Sequence, residues 1–202
     1  SADRNFGRRG KGFDEYRALS HAMITKPTVA RALDLNREPD RVRDQYGRTL
    51  FGESVLAARR LIEVGVKVTT VFWDTWIDNN AAWDTHTNHH PRLKDGLCPK
   101  LDQILPTFLN DMDERGLLDE TLVMVISEHG RTPKIDSKAQ GAGRHHWSRA
   151  YSQVYAGGGM GGGNLVGRTD ALAGDVVSTP ISPKDILATA FHLLGIDPDT
   201  TV

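Results

Sequence analysis

Histidines concentrate in one stretch of this chain, where they stand close to carboxylates. The chain has eight histidines, and most of them fall between residues 86 and 146: His86, His89, His90, His129, His145 and His146. Neutral imidazole is a common ligand of divalent transition metals, and carboxylates complete such sites. This combination of residue types predicts a metal centre.

Three short strings carry these ligand types. They are Trp83-Asp84-Thr85-His86 with His89 and His90 after it, Glu128-His129-Gly130, and Arg144-His145-His146-Trp147. The second is the most specific, because a carboxylate and an imidazole side by side can both face a metal where glycine lets the chain turn. Arg131 follows it and can hold an anionic oxygen with two donors. Otherwise Arg131 is a surface charge or a partner of Asp136.

Simpler interpretations compete with this one. A loop histidine is commonly a surface residue or a hydrogen-bond partner of the backbone, which would leave a structural domain. His86 and His90 could form an i,i+4 pair on a short helix, a separate local metal site. The glycine-rich residues 157–163 lack the strand–GxGxxG–helix context, so they favour a turn over a phosphate cradle. Ser127 has no nucleophile-elbow sequence, which argues against a hydrolase triad.

Helices and strands that would position these loops alternate along the chain from Gly52 onward. Apolar spacing predicts helices over 53–64, 99–115 and 183–194, and β-branched runs predict buried strands over 66–73, 121–127 and 152–156. Polar loops over 74–88 and 128–147 follow the first two strands. Ser182, Pro183 and Asp185 have the residue types of a helix start. This order predicts a largely parallel sheet covered by helices, with chemistry just past the strand ends.

Composition excludes several classes of protein. The chain has 202 residues, of which 39% are hydrophobic and 25% charged, so it can bury a core and is not mainly disordered. Its net charge of -1 does not point to nucleic acid as a partner. Its apolar runs are shorter than the roughly 18–20 residues that a transmembrane helix needs. The lone Cys98 excludes an internal disulfide and a cysteine-rich zinc module.

Several of these strings, in this order, resemble a known family. The segments that carry the resemblance are Phe51-Gly52-Glu53-Ser54, Ala57-Ala58-Arg59-Arg60-Leu61-Ile62-Glu63, Trp83-Asp84-Thr85-His86, Glu128-His129-Gly130-Arg131-Thr132-Pro133, His146-Trp147 and Ala156-Gly157-Gly158-Gly159. The family is a bacterial domain-of-unknown-function family, number fifteen-oh-one. It is often labelled sulfatase-like, within the alkaline phosphatase and sulfatase superfamily. The resemblance extends from about Phe13 onward.

The resemblance implies a fold and a site. The fold would be α/β, an alkaline-phosphatase-like three-layer sandwich with a mostly parallel central sheet, incomplete at its N-terminus. A divalent metal would be the cofactor, with zinc first and manganese or calcium as alternatives. Arg131 would bind the substrate, and the implied metal ligands are Asp84, His86, Glu128, His129 and His146.

The implied reaction is hydrolysis of a phosphate or sulfate ester. The substrate would be a small anionic ester or a sulfated or phosphorylated glycan, and the nucleophile would lie outside this chain. The alternative is a non-catalytic relative that binds a polyanionic or glycan ligand or a partner protein. It is motivated by relatives that have Phe at the position of His129.

The resemblance also implies an organisation and a location. Residues 1–50 would form a polar helical segment, and residues 51–202 the C-terminal part of a sulfatase-like α/β domain. The full-length protein would be exported to the periplasm. Arg8 and Arg9 are adjacent, but the residues that follow do not make an intact twin-arginine signal.

Overall fold

A computed structural model describes residues 11–73 and 82–197 of the chain. It divides the chain into two compact units, residues 1–71 and 72–202. The polar loop expected over 74–88 lies partly outside the described residues, because 74–81 are not among them.

The first unit is helical. Its elements are α1 (Lys11–Ile24), α2 (Pro27–Leu33), a 3-10 turn (Leu35–Arg37), α3 (Asp40–Tyr46) and α4 (Leu50–Glu63). Helix α4 begins where the Thr49 hydroxyl accepts the Gly52 N–H at 3.1 Å. Its apolar face packs against α2 and α3 and buries Val55 and Leu56. The helix predicted from apolar spacing in this region therefore forms.

One charged side chain lies inside the first unit. The Arg59 side chain is only 1% exposed and forms ion pairs with Glu38 at 3.0 Å and Glu63 at 2.8 Å. A buried guanidinium is tolerable only when carboxylates pair with it, since an unpaired buried charge is costly. Arg59 therefore ties the residues before α3 to α4.

The helices described in the second unit begin with a continuous helical stretch of three segments. It consists of α5 (His89–Pro91), a π-helix (Arg92–Leu97) and α6 (Cys98–Glu114). Leu97, Ile104 and Met112 are buried on its inner side. After six short strands the described part ends with α7 (Pro183–Leu193).

Helix α7 starts as its sequence predicts. The Ser182 hydroxyl accepts the Asp185 N–H at 3.3 Å, and the Asp185 carboxylate accepts the Ser182 N–H at 2.7 Å. Pro183 occupies the first turn. This reciprocal capping satisfies backbone donors that the helix itself leaves unpaired.

The six strands form three separate antiparallel pairs. β1 (Val123–Val125) pairs with β4 (Val154–Ala156), and β2 (Gly130–Arg131) pairs with β3 (His146–Trp147). β5 (Arg168–Thr169) pairs with β6 (Val176–Ser178). Across the described ranges each sheet has two strands.

The expected alkaline-phosphatase-like sandwich is therefore wrong. A parallel pair needs a crossover connection, usually a helix, whereas an antiparallel pair needs only a return of the chain. Residues 126–153, between β1 and β4, contain no helix, so β4 returns antiparallel to β1. The described residues contain no large parallel sheet.

The strand predicted over 66–73 is also wrong. These residues form neither helix nor strand, and Val68 and Phe72 are 73% and 79% exposed. β-Branched and aromatic residues fit a half-buried pleated surface, but their propensity cannot supply the neighbouring strand that such a surface needs.

No helix among the residues described is long and apolar enough to cross a membrane.

Candidate metal centre

The β2–β3 pair brings two of the candidate side chains together. In its register Arg131 lies opposite His146, and Gly130 lies opposite Trp147. Residues directly opposite each other on an antiparallel pair project to the same face. The Trp147 indole N–H donates to the carbonyl oxygen of Gly174 at 2.7 Å, which holds β3 in place. Arg131 and His146 are thereby presented side by side.

A loop that contains Asp84 and His86 supplies the other side of the site. The buried Thr85 lies between them, and its hydroxyl is 2.7 Å from Nδ1 of His89. The Thr85 carbonyl accepts the Arg144 N–H at 3.2 Å. These bonds hold the buried Thr85 in place. Thr85 therefore fixes the positions of its two neighbours in the chain, Asp84 and His86.

Arg92 reinforces this loop from the π-helix. Its guanidinium donates to the carbonyl oxygens of Ala82 at 2.7 Å and Asp84 at 3.0 Å. A π-helix is rare in proteins and frequently lies at functional sites. The residue types alone gave no signal for Thr85, His89 and Arg92 as supports, because their role depends on burial and on carbonyl groups that a sequence does not reveal.

Gly143 lets a third segment approach the loop. A Cβ atom at this position would lie 1.7 Å from the carbonyl oxygen of His86. No side chain can occupy that space without movement of the backbone. Glycine is therefore required for the segment before His145 and His146 to reach Asp84 and His86.

Three donor atoms converge at the centre of this arrangement. Oδ1 of Asp84, Nε2 of His86 and Nε2 of His146 are each 3.0 Å from the other two. Zinc ligands lie about 2.0–2.1 Å from the metal, which places neighbouring ligands of a tetrahedral ion about 3.3 Å apart. The three atoms can therefore hold a metal with only a small expansion. Among the described residues they form the one group with this geometry.

Arg131 contacts the same carboxylate. Its Nη2 lies 2.6 Å from Oδ1 of Asp84. Burial by itself would raise the pKa of Asp84, but hydrogen bonds from Arg131 and His146 outweigh it and hold this pKa below its usual value. Nη1 of Arg131 is buried and has no hydrogen-bond partner. The guanidinium thus has one buried nitrogen whose donors no described group satisfies.

The pKa of His86 is shifted by its surroundings. Burial lowers its pKa below the usual value, and the nearby Asp84 opposes this only in part. A lowered pKa keeps the imidazole neutral at neutral pH. Only a neutral imidazole has a lone pair to give to a metal.

Behind His86 stand two further side chains. Nδ1 of His86 is 3.1 Å from Nδ1 of His145, and Nε2 of His145 is 3.1 Å from Oδ2 of Asp136. The hydrogen bond with His145 lowers the pKa of Asp136. Asp136, which the sequence offered as a partner of Arg131, contacts His145, and the partner of Arg131 is Asp84.

Glu128 and His129 lie beside the three donor atoms and do not join them. The His129 ring faces the His146 ring with a centroid distance of 4.1 Å. Its Nδ1–H donates to the Gly130 carbonyl at 3.2 Å, and its Nε2 is 3.4 Å from Oε1 of Glu128. The Glu128 side chain is 78% exposed. Both nitrogens of His129 therefore face the chain of their own loop, and a ligand role for either residue stays a prediction.

The competing pair of His86 and His90 does not lie on one helix. Helix α5 begins at His89, so His86 precedes it. His90 is exposed, and its ring contacts that of His89 at a centroid distance of 5.0 Å. His89 itself is buried against Thr85.

Comparison with models of protein families shows which family the chain belongs to. The model of one family, described as Protein of unknown function (DUF1501), matches residues 4–202. The chain belongs to the DUF1501 family. The family expected from the motif strings is thereby confirmed. No curated protein and no solved structure matches this DUF1501 chain.

Proposed function

We propose that this DUF1501 chain binds a divalent metal ion, zinc in the first place, and acts in the hydrolysis of phosphate or sulfate esters. The observation that carries the proposal is the triangle of donor atoms from Asp84, His86 and His146, each 3.0 Å from the other two, beside Arg131. Two imidazoles and one carboxylate suit zinc better than calcium, which prefers oxygen ligands alone.

The number of ligands favours chemistry over a structural role. Structural zinc sites are closed by four protein ligands, whereas catalytic ones have three and leave a position open. The side chains of Asp84 and His146 are 54% and 55% exposed, so a ligand from solution can reach them. A divalent ion bound there would polarise an ester oxygen and favour ionisation of a water molecule.

Arg131 gives the site its preference for an anion. Its Nη2 is used by Asp84, and its buried Nη1 is without a partner. A phosphate or sulfate oxygen would satisfy Nη1 with a charge-assisted hydrogen bond. The proposed substrates are accordingly small phosphate or sulfate esters, or glycans that carry such groups.

Metal-dependent turnover tests this proposal. Because the nucleophile is expected outside this chain, the full-length protein is stripped of metal, reloaded with zinc, manganese or calcium, and assayed with aryl phosphate and aryl sulfate. We expect turnover that requires metal, that His146→Ala abolishes, and that the control His192→Ala retains. His192 is a suitable control because it lies exposed in α7.

Two outcomes would contradict the hydrolase proposal. Equal turnover in His146→Ala and in the unmodified chain would remove the site from the reaction. Stoichiometric metal without turnover of either ester would favour the non-catalytic alternative, in which the site binds a polyanionic or glycan ligand.

A further inference from the structure

A line of hydrogen bonds leads from a carboxylate to one of the proposed metal ligands. Oδ2 of Asp136 is 3.1 Å from Nε2 of His145, and Nδ1 of His145 is 3.1 Å from Nδ1 of His86. At the far side of the His86 ring, Nε2 faces Asp84 and His146. Each imidazole in this line uses both of its nitrogens.

The backbone holds the first two members of the line. Oδ1 of Asp136 accepts the Lys138 N–H at 2.9 Å, and the Asp136 N–H donates to the Gly143 carbonyl at 2.8 Å. The His145 N–H donates to the Thr132 hydroxyl at 3.1 Å. Asp136 can therefore offer His145 only its second oxygen, in a fixed direction.

One arrangement of protons along the line leaves Nε2 of His86 free. An ionised carboxylate only accepts, so the proton between Asp136 and His145 lies on Nε2 of His145. Nδ1 of a neutral His145 then accepts, so the proton between the rings lies on Nδ1 of His86. Nε2 of His86 keeps its lone pair. Without metal it needs no proton either, because Nε2–H of His146 can donate to Oδ1 of Asp84 at 3.0 Å.

We propose that Asp136 and His145 are positioning residues that fix His86 in its Nδ1–H form and so keep Nε2 of His86 available to the metal. The metal part of this inference rests on the proposed function. Carboxylates and other acceptors behind a metal-binding histidine commonly fix its tautomer and ring orientation, and their loss weakens metal affinity about 10- to 100-fold. Here the carboxylate of Asp136 acts on His86 indirectly, because the imidazole of His145 lies between them.

Asp136→Asn should exchange donor and acceptor in each hydrogen bond of this line. The asparagine oxygen can keep the Lys138 N–H, which leaves its amide NH2 group facing His145. Nε2 of His145 must then accept, its Nδ1 must carry the proton, and Nδ1 of His86 becomes the acceptor. His86 is then protonated on Nε2, the atom that the metal needs.

Asp170→Asn is the matched control. Oδ1 of Asp170 also accepts backbone N–H groups, from Leu172 at 3.0 Å and Gly174 at 2.8 Å. It therefore reports what the loss of a carboxylate charge in such a turn does to stability. These hydrogen bonds involve no imidazole, so the tautomers of His86 and His145 should not change.

The first experiment reads the tautomers directly. Nitrogen-15 NMR of the metal-free full chain assigns the protonated nitrogen of each imidazole in the unmodified protein, Asp136→Asn and Asp170→Asn. We expect His86 as Nδ1–H and His145 as Nε2–H in the unmodified protein and in Asp170→Asn, and the reverse forms in Asp136→Asn. His86 as Nε2–H in the unmodified protein, or unchanged tautomers in Asp136→Asn, would overturn the proposal.

The second experiment measures zinc affinity by competition with a coloured chelator. We expect Asp136→Asn and His145→Ala to bind zinc about 10- to 100-fold more weakly than Asp170→Asn does. Equal affinities would show that the line does not prepare the ligand. If the unmodified chain takes up no zinc while its tautomers are as expected, the proposed metal function fails and the line of protons stands.

Discussion

Arg131 and His146 lie directly opposite each other on the antiparallel pair β2–β3, and both contact Oδ1 of Asp84. A two-residue strand thus places a candidate anion-binding group next to a candidate metal ligand. Because the guanidinium contacts the same oxygen that the proposed metal would bind, a bound metal would compete with Arg131 for Asp84, and both would attract an anion.

Replacement of Arg131 should separate these two effects. Arg131→Gln removes the cation from Asp84, so we expect zinc affinity to be unchanged or higher. Phosphate affinity of the zinc-loaded protein should fall about tenfold or more, because a hydrogen bond between charged groups is worth about 1.5–3 kcal/mol. Calorimetric titration with inorganic phosphate measures this. Arg149→Gln is the control, since Arg149 pairs with Asp175. Equal losses in the two variants would contradict the role of Arg131.

Gly143 should be sensitive to the smallest side chain. Gly143→Ala places a Cβ atom 1.7 Å from the His86 carbonyl oxygen, so the loop or the segment must move. We expect a loss of about 1–3 kcal/mol in the free energy of unfolding, as in other overpacked sites, together with weaker zinc binding. Gly162→Ala is the control, because nothing lies within 4 Å of its added Cβ. Denaturant unfolding of both variants is the measurement, and matching curves would show that the approach is not required.

His129 lies beside the three donor atoms, and we predict that it is not a metal ligand. Its ring lies against His146, but both of its nitrogens face groups of its own loop. We expect His129→Ala to bind the same amount of zinc per chain as the unmodified protein, with an affinity reduced less than tenfold. Elemental analysis and chelator competition provide the two values. Complete loss of zinc in this variant would make His129 a ligand.

The N-terminus of α7 allows a prediction of pH dependence. Hydrogen bonds from the backbone and side chain of Ser182 hold the pKa of Asp185 below its usual value of 3.8. A carboxyl group whose pKa is lower in the folded state stabilises that state above its unfolded pKa, and this contribution is lost as the pH falls through the folded pKa. The capped turn should therefore stay intact at pH 4 and open only below it.

Carbon-13 NMR titration of the Asp185 carboxyl measures this pKa. Ser182→Ala removes the side-chain donor and keeps the backbone one, so the pKa of Asp185 should move upward toward 3.8 in that variant. An unchanged pKa would show that the hydroxyl does not contribute. The same variant should destabilise the first turn of α7 by about 1 kcal/mol, as lost N-caps usually do.

Local features of this chain could be predicted from its sequence. The Ser182-Pro183 start of α7 and the apolar face of α4 depend on residues within one or two turns of each other, so their patterns are self-sufficient. The family resemblance also implied Asp84, His86 and His146 as metal ligands, together with Glu128 and His129, which do not join the three donor atoms. The family followed from the motif strings.

Strand pairing could not be predicted in the same way. The β-branched run at residues 121–127 is compatible with either strand direction, and only the path of the chain between β1 and β4 makes the pair antiparallel. The supports of the site were hidden for a similar reason. Thr85 acts through its burial, and Arg92 acts through a backbone carbonyl oxygen, which no residue type reveals. The hydrogen bonds from Asp136 join residues that are far apart in the chain: Asp136 and His145 are nine positions apart, and His145 and His86 are fifty-nine apart.

Metal content of the purified chain tests the central claim most directly. The unmodified protein, His146→Ala and His192→Ala are stripped of metal, dialysed against equal zinc, and analysed by mass spectrometry for bound zinc per chain. The triangle of Asp84, His86 and His146 predicts about one zinc per chain in the unmodified protein and His192→Ala, and almost none in His146→Ala. No zinc in the unmodified protein, or as much zinc in His146→Ala as in His192→Ala, would contradict it.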